Sequence, residues 1–186
     1  QSSYDAFKGT MPNEVVLIPS HHINQERELR TRTEVKIAGY IGSPSPWATK
    51  LYEQLAEVLK PLGFEFRTCF DFHGREDAMN LYRNIDLFII YPSPNTNPHG
   101  VPTKPINAAS FGIPTIACPQ TNYKEIEGYY VPAHTIEEVV KEAEKFKDPA
   151  YYQSWVDKIL PFAENYHISE IAKKYYALFG GVLPLF

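Results

Sequence analysis

Residues Ile85–Cys118 read IDLFIIYPSPNTNPHGVPTKPINAASFGIPTIAC, and this stretch decides the fold. Ile85-Asp86-Leu87-Phe88-Ile89-Ile90-Tyr91 is apolar on both faces, the pattern of a central strand covered from both sides. Pro92 to Pro102 holds four prolines and a glycine and reads as a long loop, a length that is often functional. A helix over Thr103 to Phe111 follows, Gly112-Ile113-Pro114 closes it, and Thr115 to Cys118 resumes a buried strand. Strand, loop, helix and strand in that order make a parallel crossover.

The same alternation extends outward. Val35 to Ile41 (VKIAGYI) is an apolar strand ending at Gly42, and Ser45-Pro46 offers an N-cap and a first-turn proline. Trp47, Leu51, Leu55, Val58 and Leu59 recur at helical spacing up to Gly63, and Phe64 to Phe70 alternates as a second strand. Ala78, Leu81 and Tyr82 suggest a short helix, and Glu127 to Val131 a further short strand. Helices are expected over Thr135 to Phe146, Pro149 to Tyr166 and Ser169 to Phe179. The expected fold is α/β, a doubly wound, Rossmann-like parallel sheet. Upstream, Glu14 to Pro19 reads as a strand leading into His21-His22-Ile23-Asn24, and Gln25 to Glu34 as a charged connection. Residues 1–32 are therefore expected to be the end of an upstream domain and its linker, and 33–186 the main domain.

Composition bounds the function. Apolar residues make up 44% and charged residues 22% of 186, ordinary globular usage. The net charge of −4 is dispersed without a single-sign block, which argues against a nucleic-acid partner. No run approaches the ~20 apolar residues that span a bilayer, and the start lacks a secretory pattern, so the expected location is cytoplasmic. Cys69 and Cys118 sit in apolar runs and read as buried free thiols.

In doubly wound sheets, ligands lie outside the carboxyl ends of the strands where strand order reverses. That rule selects two loops, Gly42 to Pro46 and Pro92 to Thr103. Gly42 and Ser43 lie directly after a strand and before a helix N-terminus, where amides and dipole receive phosphate oxygens; the plainer reading is a simple turn. His99-Gly100-Val101-Pro102-Thr103-Lys104 combines a glycine for close backbone approach, a cation and a helix start. Lys104 suits a diphosphate as a point charge, or is a solvated first-turn lysine; Thr103 either caps the helix or binds a phosphate oxygen. The adjacent His21 and His22 lack the further ligands of a metal site, and no metal is expected. No nucleophile elbow and no P-loop signature occurs.

The run His99 to Ala117 resembles the donor-site segment of GT-B glycosyltransferases of the group 1 type, in which a loop and short helix ending in Gly-x-Pro and a buried strand hold the nucleotide and sugar. Val16 to Asn24 is similar to the last strand and exit of the family's acceptor domain, Tyr40-Ile41-Gly42-Ser43 to the opening of its donor domain, and Tyr123 to Ile126 to the segment after the next strand. Tyr151 to Phe179 resembles the closing helices, the last of which crosses back to the other domain. The resemblance implies a C-terminal donor-binding domain for a nucleotide-diphosphate sugar, needing no separate cofactor, with Gly42, Ser43, His99, Gly100, Val101, Thr103, Lys104 and Asn107 around the donor. It also implies a missing N-terminal acceptor domain, in line with a chain that opens on Gln1. Many retaining members carry two glutamates eight positions apart, and the matching residues here are His99, the one catalytic candidate, and Asn107. The basic residues that many relatives place after the opening strand are absent from Gly42 to Pro46.

Two other readings stand beside it. A nucleoside deoxyribosyltransferase-like enzyme needs a carboxylate nucleophile, which Thr103 to Phe111 does not contain. A non-catalytic nucleotide-binding or interaction module would keep the fold without the acidic pair.

Overall fold

The computed structural model describes residues 2–91 and 101–180. Five parallel strands form one sheet in the order β2-β1-β3-β4-β5: β1 Ile37–Ile41, β2 Glu65–Cys69, β3 Leu87–Ile90, β4 Thr115–Ala117 and β5 Val131–Pro132. The helices are α1 Ser2–Phe7, α2 Pro46–Leu59, α3 Arg75–Arg83, α4 Thr103–Ser110, α5 Ile136–Lys145, α6 Pro149–Glu164 and α7 Ile168–Leu178.

The period of two along each strand sorts its side chains between two cores. On β3, Leu87 and Ile89 join Leu51, Leu55 and Leu59 of α2 and Val139 of α5 on one face. Phe88 and Ile90 join Met79 and Tyr82 of α3 and Ile106 of α4 on the other. The sheet is thus sandwiched between helical layers, the doubly wound Rossmann-like arrangement. Gly39 on β1 leaves room for Ile85, whose Cγ2 would lie 2.6 Å from an added Cβ.

Local chemistry sets the element ends. Ser45 caps α2, its hydroxyl accepting from Ala48 N at 3.1 Å, with Pro46 in the first turn. Gly112 ends α4 with φ +72°, which glycine adopts without a Cβ penalty. The expected strand at 127–131 is reduced to the two residues of β5, because the Glu127 and Tyr129 amides bond back to Lys124 O and Ile126 O and Gly128 turns the chain at φ +85°.

Glu14 to Pro19 forms no strand. Val16 and Leu17 are 48% and 39% exposed, and no strand among the described residues lies alongside to complete a ladder. Residues 22–37, in contrast, are fastened to the sheet body. His22 N donates to Tyr166 O at 2.9 Å and Arg30 N to Phe111 O at 3.0 Å. Buried Asp86 takes Arg30 Nε and Arg32 Nε on Oδ1, both at 2.8 Å, and the amides of Lys36 and Ile37 on Oδ2 at 2.9 and 2.7 Å. The expected boundary at 32/33 runs through this clamp.

β2 is one edge of the sheet, β5 the other, and the rim of β2 is charged: Arg67 Nε donates to Glu65 Oε1 at 2.6 Å. No helix among the described residues is long and apolar enough to cross a membrane.

Candidate functional site

Strand order reverses between β1 and β3, and a cavity of about 380 Å³ opens at the carboxyl ends of the strands at that point. Gly42 enters from the end of β1; Thr103, Lys104 and Asn107 come from the first turns of α4; Phe72, His73 and Arg75 come from the segment after β2. Four of the residues expected around a ligand, Gly42, Thr103, Lys104 and Asn107, are brought together. Ser43 and Val101 are exposed and do not line the cavity. His99 and Gly100 lie outside the described residues.

The helix behind the cavity begins without a side-chain cap: Pro102 occupies the N-cap position of α4, so Thr103 is a first-turn residue and not the cap. Amides in the first turn of a helix have no intrahelical acceptor, and with the dipole they make that end electropositive. Lys104 adds its charge. Its Nζ donates to the Tyr40 hydroxyl at 3.1 Å and stands 4.7 Å from the centre of the Tyr40 ring. Tyr40 is held by stacking on Tyr52, centroids 3.9 Å apart.

Asn107 also has a partner. Its Oδ1 accepts from Ile23 N at 3.1 Å, so Ile23 forms one wall of the cavity and fixes the carboxamide with its NH₂ as the remaining donor. Arg75 completes that wall, Nε donating to Ile23 O at 2.9 Å while the guanidinium pairs with Glu26. Tyr82 closes the floor, and its burial raises the phenol pKa far above the ordinary range.

Tyr40, Ile23 and the Phe72–Arg75 segment are not among the expected ligand-facing residues. The strand-end rule points to that segment once β2 is known to lie beside β1. Tyr40 carries no comparable signal, since a tyrosine in an apolar strand reads as core. No carboxylate lines the cavity among the described residues. Among them, too, no group of three or more histidine, cysteine, aspartate or glutamate side chains is arranged to hold a metal.

No protein-family model and no curated protein matches the sequence. Among solved structures, a chain of one described as "Crystal structure of GtfA/B complex" superposes with a TM-score of 0.66 at 11% identity, covering 96% of this chain and 42% of that one. This chain therefore spans about two fifths of that neighbour's length and shares its fold. A chain of "The Vibrio vulnificus NanR protein complexed with ManNAc-6P" gives a TM-score of 0.36 at 16% identity over 81% of this chain and 58% of that one, too low to indicate a common fold.

Proposed function

We propose that this chain is the donor-binding half of a nucleotide-sugar-dependent glycosyltransferase that, with an acceptor-binding domain, moves a sugar from the donor to an acceptor. The observation that carries the reading is the cavity at the strand-order reversal, where the exit of β1 meets the uncapped first turn of α4. Its fold neighbour belongs to a complex whose description names GtfA/B, and Thr103, Lys104 and Asn107 of the segment that carries the donor-site resemblance line the same corner.

In such a transfer the bond between the sugar's anomeric carbon and a diphosphate oxygen breaks as a bond from that carbon to the acceptor forms, the acceptor gives up its proton, and negative charge grows on the leaving diphosphate. Donors already aimed at that charge stabilise it without reorganisation. Lys104 suits this role, because an ammonium has three donors and can keep its bond to Tyr40 while offering the others to phosphate. The Asn107 NH₂ is suited to donating to a hydroxyl oxygen of a ribose or sugar, and His99 remains the catalytic candidate by resemblance. The donor is a substrate, and no cofactor is required. The acceptor domain would cover the apolar surface at the end of α7, where Tyr175, Tyr176, Leu178 and Phe179 are each about half exposed.

Calorimetric titration with UDP, GDP and ADP tests the reading. One diphosphate should bind to the wild-type chain, and Lys104→Ala should weaken it about tenfold or more, the loss of one charged hydrogen bond of about 1.5–3 kcal/mol. Absence of binding by all three, or equal binding by the variant, sinks the proposal.

A second reading, a binding module without turnover, draws on the Asn107–Ile23 bond and on the lack of a lining carboxylate among the described residues. It predicts diphosphate binding with no sugar release in single-turnover mixtures, even when an acceptor domain is supplied.

A further inference from the structure

Residues 22–24 have two sides. Ile23 walls the cavity just described; His22 and Asn24 face a separate cavity of about 240 Å³ between the 24–29 loop, Ser110 and helix α6. This second cavity is independent of the donor reading.

The residues around it are closely bonded to one another. Asn24 Nδ2 donates to Glu28 O and Ser110 O, both at 2.8 Å, and its Oδ1 accepts from Glu28 N at 2.9 Å. The Ser110 hydroxyl donates to Asn107 O at 2.6 Å, which leaves its lone pairs available. Arg27, in a left-handed conformation with φ 55°, reaches across to Glu164, Nη2 to Oε1 at 2.6 Å. His167 is committed at both ring nitrogens: Nδ1 accepts from Ser169 N at 3.2 Å, so the proton is on Nε2, which donates to Gln25 O at 3.0 Å.

His22 is the exception. It lines the cavity at 3% exposure, and its Nδ1 is fully buried without a hydrogen-bond partner among the described residues. Its only ring neighbour among those residues is His167, edge-on with centroids 5.4 Å apart. Buried polar atoms are almost always bonded, and one that is not demands a physical explanation.

Charge narrows the choice of occupant. The charged and titratable groups facing the ring are His167, Glu164, His21 and Arg27. Burial, then His167, lowers the His22 pKa to about 4, outweighing the opposing Glu164, so the ring is neutral near pH 7. The Arg27–Glu164 pair cancels itself, which leaves nothing to balance a bound anion, and no three-ligand cation site exists among the described residues. A neutral imidazole offers one donor and one acceptor, and Ser110 offers an acceptor. The complement is a neutral group that both donates and accepts, set against the apolar Leu29, Leu160 and Ala163. A volume of about 240 Å³ holds several hydroxyl-bearing groups, given the ~30 Å³ share of one water.

We propose that the cavity beside His22 is a hydroxyl-binding site, taking water or the hydroxyls of a small polyol, with the His22 imidazole as the recognising group. The test is NMR of the full chain labelled with ¹⁵N-histidine, following the His22 ring nitrogens in buffer and during titration with glycerol, xylitol, acetate and phosphate. A hydrogen-bonded Nδ1 with a cross-peak to slowly exchanging water assigns the site to solvent. A saturable shift with glycerol or xylitol assigns it to a polyol. In either case Ala163→Leu, which extends a side chain into the cavity, should abolish the signal. An unbonded Nδ1 with neither response, or a saturable response to acetate or phosphate instead, overturns the proposal. His22→Leu gives an independent check: stranding a bound hydroxyl should lower the melting temperature, whereas removing an orphaned nitrogen would raise it.

Discussion

A Cβ on residue 42 would lie 2.3 Å from the Tyr40 hydroxyl and 2.9 Å from Lys104 Nζ, so the glycine is needed for space. Gly42→Ala must displace the Tyr40 hydroxyl, whose ring is held by stacking on Tyr52, while the flexible end of Lys104 can move into the cavity. It should cost about 1–3 kcal/mol, the usual penalty for overpacking, and move the urea midpoint accordingly. His22 makes a different prediction. Its folded pKa lies near 4, below the ordinary 6.5, so the unfolded chain binds more protons between those values. The resulting stability is complete above pH 6.5 and drains away as pH falls toward 4. Urea titrations across that window should show a decline in the wild type that is smaller in His22→Gln. At this scale the sequence is weakest: nothing in YIG says that Tyr40 reaches over Gly42 to meet a lysine 64 positions on.

The connection over residues 30–37 is pinned by one carboxylate. Burial opposes the ionisation of Asp86, yet the Lys36 and Ile37 amides with Arg30 and Arg32 outweigh it and hold its pKa below the usual 3.8. A depressed carboxylate contributes stability above its ordinary pKa and loses it as pH falls through the folded value, so the contribution of this clamp begins to fall as pH drops through the ordinary 3.8 and is lost below the folded pKa. Asp86→Ala leaves two guanidiniums beside β3 without their carboxylate, and should lose about 3–5 kcal/mol in urea unfolding at pH 7. The strands and helices of the sheet body are legible because each carries its own period and its own stop signal, as in LFII or the Ser45-Pro46 start of α2. Glu14–Pro19 misleads for a reason that period alone cannot supply, since a β-branched run becomes a strand only when another strand lies alongside. The Asp86 clamp is hidden in the sequence because its partners lie about 50 residues upstream.

For the molecule as a whole, these contacts predict where it can be cut. Removing residues 1–19 should leave the melting temperature nearly unchanged, because most of them are exposed. Starting the chain at residue 33 should abolish the cooperative transition, because Arg30, Arg32 and the Asn24 clamp go with the lost segment. Scanning calorimetry of the two truncations separates the outcomes, and similar transitions in both would show that residues 22–32 are dispensable. The switch-point corner is only half legible at this scale: alternating elements imply a parallel sheet and the strand-end rule selects the Gly42 and Thr103 loops, but the order β2-β1-β3 that brings the Phe72–Arg75 segment to the same corner emerges only from the folded chain. The charged rim of β2 should discourage copies of the molecule from joining edge to edge. An unpaired strand invites another to extend the sheet, and the Glu65–Arg67 pair obliges any newcomer to strip water from two ions first. Crowded solutions should therefore stay clear, and the double exchange Glu65→Val with Arg67→Val would turn the same margin into a seed for fibres.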